Sequence, residues 1–238
     1  MRKLILTSFL LFTFFNIKSQ VLPTDIQGLV HWYSADSVAK DANGLVEIVY
    51  DLSQNNDHLT QSNSSNKPQF IDSAFNNRPV IRFNGSKFLE TMFDQNITQA
   101  YTVFAVWKTT SSGQRVFLDD RVNVMIDNKN GGHVRMFAGN EVSYVKPNPF
   151  DFIITHAEFN GTLSKLYENN VLMAQGNVGG NNLPGITMGK RTVYNDRFFT
   201  GDFSQLLIFE GVLSQEQIDM VNSYLYDYYI KFVDLGGQ

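Results

Sequence analysis

Residues 150–175 read FDFIITHAEF-NG-TLSKLYE-NN-VLMAQ. Three apolar, β-rich runs, Phe150–Phe159, Thr162–Glu168 and Val171–Gln175, are separated by Asn160-Gly161 and Asn169-Asn170. Two-residue loops of Asn and Gly favour type I′ turns, because both residues tolerate positive φ. The stretch therefore reads as a three-stranded antiparallel meander. A two-residue loop also sets the register: Phe159 faces Thr162, Glu158 faces Leu163 and His156 faces Lys165. Side chains alternate along a strand. His156, Glu158, Lys165 and Tyr167 then share one face with Phe152 and Ile154, while Ala157, Phe159, Leu166 and Met173 share the other.

The same pattern continues outward in both directions. Strands are expected at Leu29–Ala35, Val46–Tyr50, Pro79–Phe83, Tyr101–Lys108, Arg115–Leu118, Val122–Ile126, Val134–Ala138, Ile186–Gly189 and Gly201–Phe209, in addition to the meander. Asn and Gly cluster in the gaps, which is turn chemistry. A spacing of about ten residues between strands favours an antiparallel sandwich or jelly roll over a parallel α/β sheet. One helix is expected near the end. Ser214 and Gln217 form a capping box, and Ile218, Val221, Leu225 and Tyr228 recur at helical spacing. The tyrosines Tyr224, Tyr226, Tyr228 and Tyr229 read as a helix packed on the sandwich with its hydroxyls at solvent, or as a binding stripe.

The N-terminus follows another plan. Arg2 and Lys3 precede the apolar run Leu4–Ile17, and Lys18-Ser19-Gln20 closes it with polar residues. This is the order of a secretory signal peptide, at about 14 apolar residues where a membrane helix needs roughly 20. Residues 1–19 are therefore expected to be removed, leaving 20–238 as one β-sandwich domain, secreted or at the cell surface, with no membrane span in the mature chain. Three basic residues leave with that segment, so the mature chain is more acidic than the net −4 of the whole. Such a chain has no electrostatic reason to bind nucleic acid. With no cysteine, disulfide frameworks, thiol nucleophiles and Cys-based zinc sites are excluded.

Four segments carry a family resemblance. They are Gly28–Asp36 (GLVHWYSAD), Asp51–His58 (DLSQNNDH), Asn77–Ser86 (NRPVIRFNGS) and Gly201–Phe209 (GDFSQLLIF) followed by Leu213-Ser214. In that order the chain resembles the concanavalin A-like lectin/glucanase superfamily, in the laminin-G-like form found in secreted bacterial proteins. The glycines usual in the second segment are Gln54 and Asn56 here, and glutamine accepts positive φ less easily than asparagine. The resemblance implies an all-β jelly-roll sandwich closed by a C-terminal α-helix. It implies no single activity, because this fold hosts lectins, hydrolases, lyases and adhesion modules.

The candidate chemistry is correspondingly divided. Hydrolase members of the fold carry Glu-x-Asp-x-x-Glu on one strand, and no such string occurs here. A polysaccharide lyase would need a base, an acid and a group that neutralises a uronate. His156, Tyr167, Lys165 and Glu158 are of the right types, or they form a solvated outer face. Calcium prefers oxygen ligands. Asp51–Asp57 is one oxygen-rich loop, and Asp119, Asp120, Asp127 and Asn128 with Asn130 make another; the same residues also serve ordinary turn bonding. Sugar binding needs aromatic faces beside planar polar groups. Tyr194-Asn195-Asp196-Arg197-Phe198 offers that mixture, as does Asn128–Arg135 with His133, and the glycine-rich segment 176–185 beside the former could be mobile. The leading reading is a non-catalytic carbohydrate-binding or adhesion module whose partner is a polysaccharide or glycoconjugate glycan. A structural or protein-binding surface component, with another surface protein as partner, and a lyase or hydrolase with an unfamiliar site are the alternatives.

Overall fold

Alternating burial along β-branched runs sorts the side chains into an inner and an outer set, and the chain folds accordingly in a computed structural model that describes residues 21–120, 122, 124–129, 132–146, 148 and 150–229. The signal-peptide expectation and Asn130 lie outside the described residues. From neighbour to neighbour the sheet runs β11 (Glu141–Val145), β10 (His133–Phe137), β9 (Met125–Lys129), β8 (Arg115–Asp119), β15 (Leu183–Met188), β6 (Leu89–Ile97) and β3 (Leu59–Thr60). It continues through β2 (Val46–Asp51), β1 (Leu29–Lys40), β16 (Thr200–Glu210), β7 (Tyr101–Thr109), β12 (Ile153–Phe159), β13 (Ser164–Glu168) and β14 (Val171–Gly176). β4 (Gln69–Phe75) pairs with β5 (Arg78–Asn84), and β5 also pairs with β16. The sheet's two ends approach each other. The Tyr144 hydroxyl of β11 donates to Glu168 of β13, and a Cβ at Gly176 would stand 3.5 Å from Val142. The fold is the expected all-β, antiparallel sandwich, nearly closed, with one C-terminal helix.

The inner set forms the core, with Tyr33, Phe83, Tyr101, Trp107, Phe117, Ile126, Met136, Phe159 and Phe203 among its members. Trp107 stacks on Phe117 at 4.9 Å and donates its indole N–H to Thr155 at 2.9 Å. Such aromatic pairs add about 0.5–1.5 kcal/mol beyond the area they bury.

Helix α1 (Gln215–Tyr229) covers the outer face of β1, β16, β7 and β12. The capping box forms as expected: Ser214 Oγ accepts from the Gln217 N–H at 3.3 Å and Gln217 Oε1 accepts from the Ser214 N–H at 2.9 Å. Ile218, Val221, Tyr224, Leu225 and Tyr229 pack on Phe104, Val106, Leu207 and Phe209. The tyrosine expectation needs correcting. Tyr226 is exposed, but Tyr224 and Tyr229 are buried, and Tyr229 donates to Ser204 inside the interface at 2.7 Å.

The meander exists, with one change of register. Asn169 and Asn170 have φ of +49° and +67° and make the two-residue turn, with Glu168 opposite Val171. At Asn160-Gly161 the chain instead makes a 3-10 turn over Gly161–Leu163. Ser164 Oγ accepts from the Asn160 N–H and donates to the Gly161 carbonyl, and the Gly161 N–H donates to Gln99. Glu158 therefore faces Lys165 and His156 faces Tyr167. The shift is by two residues, so each side chain keeps its predicted face.

Candidate functional site

Strand β15 ends at Met188, and the chain leaves the sheet before Phe198 returns beside Val116 of β8. The excursion is a small hairpin, residues 191–196. Arg191 and Asp196 close its neck with backbone hydrogen bonds of 2.9 and 3.3 Å and with a two-pronged ion pair of 2.7 and 2.6 Å. The Thr192 N–H donates to Asp119 Oδ2 of β8. Lys190 Nζ donates to Asn195 Oδ1 at 3.0 Å. The Tyr194 ring rests against the Arg191 guanidinium at 4.1 Å and is 63% exposed, with Val193 and Asn195 beside it. Four ties thus hold a tip that offers a ring and a carboxamide to solvent.

The hairpin's base joins a polar cluster on the outer face of β8, β9 and β10. Ile126, Val134 and Met136 point into the core, so Asp127, His133 and Arg135 point out. Arg135 sits across from Asp127 and binds it bidentately, and its Nη1 reaches Glu141 at 3.3 Å. With its amide assigned so that the oxygen faces the two guanidinium groups, Gln114 accepts from Arg197 Nη1 at 2.8 Å and from Arg135 Nη2 at 3.1 Å. The Arg197 carbonyl accepts from the Val116 N–H at 2.9 Å. Burial pushes the Asp127 carboxyl up, and the Arg135 hydrogen bond only partly offsets this. The structure therefore brings Tyr194, Asn195, Asp196 and Arg197 into one unit with Asp127, and sets His133 on the same face two residues from Arg135, about 7 Å along the strand.

The residues proposed for calcium are distributed differently. Asp119 and Asp120 are adjacent and buried at the end of β8. Asp120 Oδ1 accepts from the N–H groups of Val122 and Val124, at 2.7 and 2.8 Å. That turn delays the next strand, so β9 covers Met125–Lys129 and not the expected Val122–Ile126. Asp127 and Asn128 are consequently strand residues on opposite faces. Asn128 donates to the carbonyls of Ser111 and Gly113. Burial lifts the Asp119 carboxyl to about 6 and that of Asp120 to about 7. One oxygen of each is buried without a partner. Among the described residues, no three His, Asp or Glu side chains are grouped as metal ligands would be. In the other oxygen-rich loop, Asp51 accepts from His31, from the Trp32 and Ser53 N–H groups and from that of Asp57. Asn56 there has φ of +62°, while Gln54 needs no positive φ.

The His156 group meets on one face, as expected; Lys165 stays partly exposed there, but His156 and Glu158 are buried. The His156 ring lies between Phe104 (4.3 Å) and Tyr167 (4.5 Å), nearly parallel to both. It is 2% exposed, and neither ring nitrogen has a hydrogen-bond partner. Burial lowers its pKa to about 3. A ring closed on both faces cannot reach a substrate, so these residues do not form an open lyase groove. The glycine-rich segment packs against Ala138 and Asn140. Gly179, at φ +96°, lies so close to the Ala138 carbonyl that a Cβ would stand 2.1 Å from it, and Asn140 donates to Val178. Together with Asn96, Val122 and Pro184, Gly180, Asn181 and Asn182 line a cleft of about 340 Å³. Sequence reading reached Arg135 only as the end of Asn128–Arg135 and missed Gln114 and Glu141 as its partners. They are scattered through strands and loops, and only strand pairing assembles them.

No family model and no curated protein matches the chain. Solved structures do. Domain 4 of AbnA, an extracellular GH43 arabinanase from Geobacillus stearothermophilus, solved with arabinotriose, is similar at TM-score 0.57 and 16% identity, over 81% of this chain and 97% of that one. The botulinum neurotoxin serotype D ligand-binding domain, solved with N-acetylneuraminic acid, is similar at TM-score 0.57 and 12% identity, over 82% of this chain and 50% of that one. Trypanosoma rangeli sialidase, solved with sialic acid, gives TM-score 0.59 and 10% identity over 83% of this chain and 33% of the sialidase. At these identities the likeness is one of fold, a β-sandwich shared with domains of carbohydrate-binding and glycosidase proteins.

Proposed function

We propose that the domain is a non-catalytic carbohydrate-binding module of the laminin-G-like, concanavalin A-like type, and that the hairpin 191–196 with the adjoining face of β8–β10 is its glycan contact. The observation that carries this is the Tyr194 ring, exposed on a tip held by four ties. Aromatic faces stack on sugar C–H faces, and ordering the platform in advance lowers the entropy lost on binding. The sugar-bound arabinanase and neurotoxin domains support the reading by their shared fold. An exported destination belongs to the same proposal, on the basic, apolar and polar order of residues 2–20; recovery of the whole chain from the cytoplasm would refute that part.

The test is a glycan array followed by calorimetry on the best hit, with added calcium and with chelator. Tyr194→Ala is expected to weaken binding at least about tenfold, or about 1.4 kcal/mol. Silence across the array in both conditions, or full binding by Tyr194→Ala, overturns the assignment. The same samples test calcium at the Asp119-Asp120 turn, since a melting temperature indifferent to chelator removes it.

A further inference from the structure

One guanidinium beside the hairpin makes no direct ion pair with a carboxylate among the described residues. Arg135 and Arg197 converge on a single oxygen of Gln114, at 3.1 and 2.8 Å. Arg135 is neutralised by Asp127 and Glu141. Arg197 is not: among the described residues it forms no ion pair with a carboxylate, and it meets Asp127 and Asp196 only through space. Its backbone is fixed by the Val116 hydrogen bond and held at φ +51°. It stands three residues from the Tyr194 ring.

Resting on the glycan reading above, we infer that the ligand is an anionic glycan, one carrying carboxylate or sulfate groups, and that Arg197 is its anion contact. The guanidinium fork presents five N–H donors in a plane that matches carboxylate and sulfate oxygens two at a time. Gln114 takes up only one of them. The charge distribution agrees. Residues 111–146 and 190–198 hold eight Lys and Arg against five Asp and Glu, while the whole chain holds 19 against 23. Two of those five are Asp119 and Asp120, whose carboxyls burial pushes toward the neutral form. On this inference the acidic substituent of a sugar stacked on Tyr194 pairs with Arg197, and the pairing is screened by salt as a partly exposed contact is.

The experiment compares matched polymers on the mature protein by calorimetry: polygalacturonate against its methyl ester, and dextran sulfate against dextran. At low salt, one acidic polymer is expected to bind at least about tenfold more tightly than its neutral counterpart, and to weaken as salt rises. Whichever pair shows the difference identifies carboxylate or sulfate as the recognised group. Arg197→Gln is expected to remove that difference. Lys40→Gln, the same charge change on β1 five strands along the sheet from β8, is expected to keep it. If Arg197→Gln does not fold, Arg197→Lys takes its place, with a smaller loss because it keeps the charge without the fork. Equal binding of both members of each pair, or an unchanged difference in the Arg197 variant, overturns the inference and leaves the glycan reading standing. No binding to any of the four polymers, together with a silent array, overturns both.

Discussion

The outer face of β1, β16, β7 and β12 lies beneath α1, whereas the outer face of β8 to β10 lies beneath its own charged side chains and the hairpin 191–196. Under the helix, the buried contacts are Phe104, Val106, Leu207 and Phe209 against Ile218, Val221 and Leu225. On the other face the contacts, buried or partly buried, are Asp127 against Arg135, Arg135 and Arg197 against Gln114, and Asp119 against Thr192. Apolar cover is non-directional and stabilises in proportion to area. A paired polar face gains little net stability but fixes where each group points. The binding proposed above falls on the second face, where donors and acceptors are already oriented.

The comparison breaks most sharply under the helix. Phe104 is fully buried between His156 and Phe209. Phe104→Ala is expected to cost about 3–5 kcal/mol through lost transfer energy and a cavity, read as a shift in the denaturation midpoint. On the polar face, Asp127→Ala leaves the Arg135 guanidinium buried with only Glu141, and should cost about 3 kcal/mol. The double change Asp127→Leu with Arg135→Met should restore most of that loss, because an apolar pair of similar volume avoids desolvating two charges. No such rescue is available to Phe104→Ala from any polar partner. If the double variant is as unstable as the single, the polar face depends on its charges for more than orientation.

Acid separates the two faces by sign. His156 has a folded pKa near 3, set by burial and then by Lys165, against about 6.5 unfolded. Above pH 6.5 the group is neutral in both states. As pH falls, the unfolded chain takes the proton first, so stability is lost from 6.5 down toward 3, by about 2 kcal/mol at pH 5. Asp119 and Asp120 act oppositely. Their raised values mean that the folded chain keeps protons the unfolded chain releases near pH 4, so their contribution is full below that and lost as pH rises through about 6 and 7. His156→Phe, which keeps a ring between Phe104 and Tyr167, should flatten the acid loss. Asp120→Asn should flatten the loss between pH 4 and 7. Unfolding midpoints measured from pH 4 to 8 check both, and an unaltered profile in either variant removes that residue from the account.

Much of this fold is legible in local sequence, and the exceptions have physical causes. The capping box at Ser214 and the Asn169-Asn170 turn are local chemistry, and both form. The Asn160-Gly161 turn fails because Gln99, distant in sequence, bonds Gly161 and Ser164 wraps the loop. β9 starts late because the Asp120 side chain captures two N–H groups. The His156 face looks solvated from alternation alone, since Tyr167 and Phe104 close on it only after strand pairing. Strands β4, β6 and β11 were missed because Ser, Asn, Gln and Asp break their apolar runs. Within the site, the hairpin residues Tyr194 to Arg197 announce themselves as a polar-aromatic cluster. Gln114 and Glu141 do not, because each is ordinary until strand pairing sets it beside Arg135.

The smallest expected effect sharpens the same contrast. Tyr194 rests against Arg191, and most of its surface is already in water. Tyr194→Ala should therefore change unfolding free energy by no more than about 0.5 kcal/mol. The ties below the tip are a different matter. Arg191→Ala removes both the neck ion pair and the support of the Tyr194 ring, and should loosen the hairpin without unfolding the sandwich, since Arg191 pairs only within it and through space with Asp119. Hydrogen exchange would show this as faster exchange at Thr192 and Asn195, with rates in β7 and β16 unchanged. If Tyr194→Ala proved as destabilising as a core substitution, the tip would be part of the sandwich's packing, and the separation of binding from stability on this face would be lost.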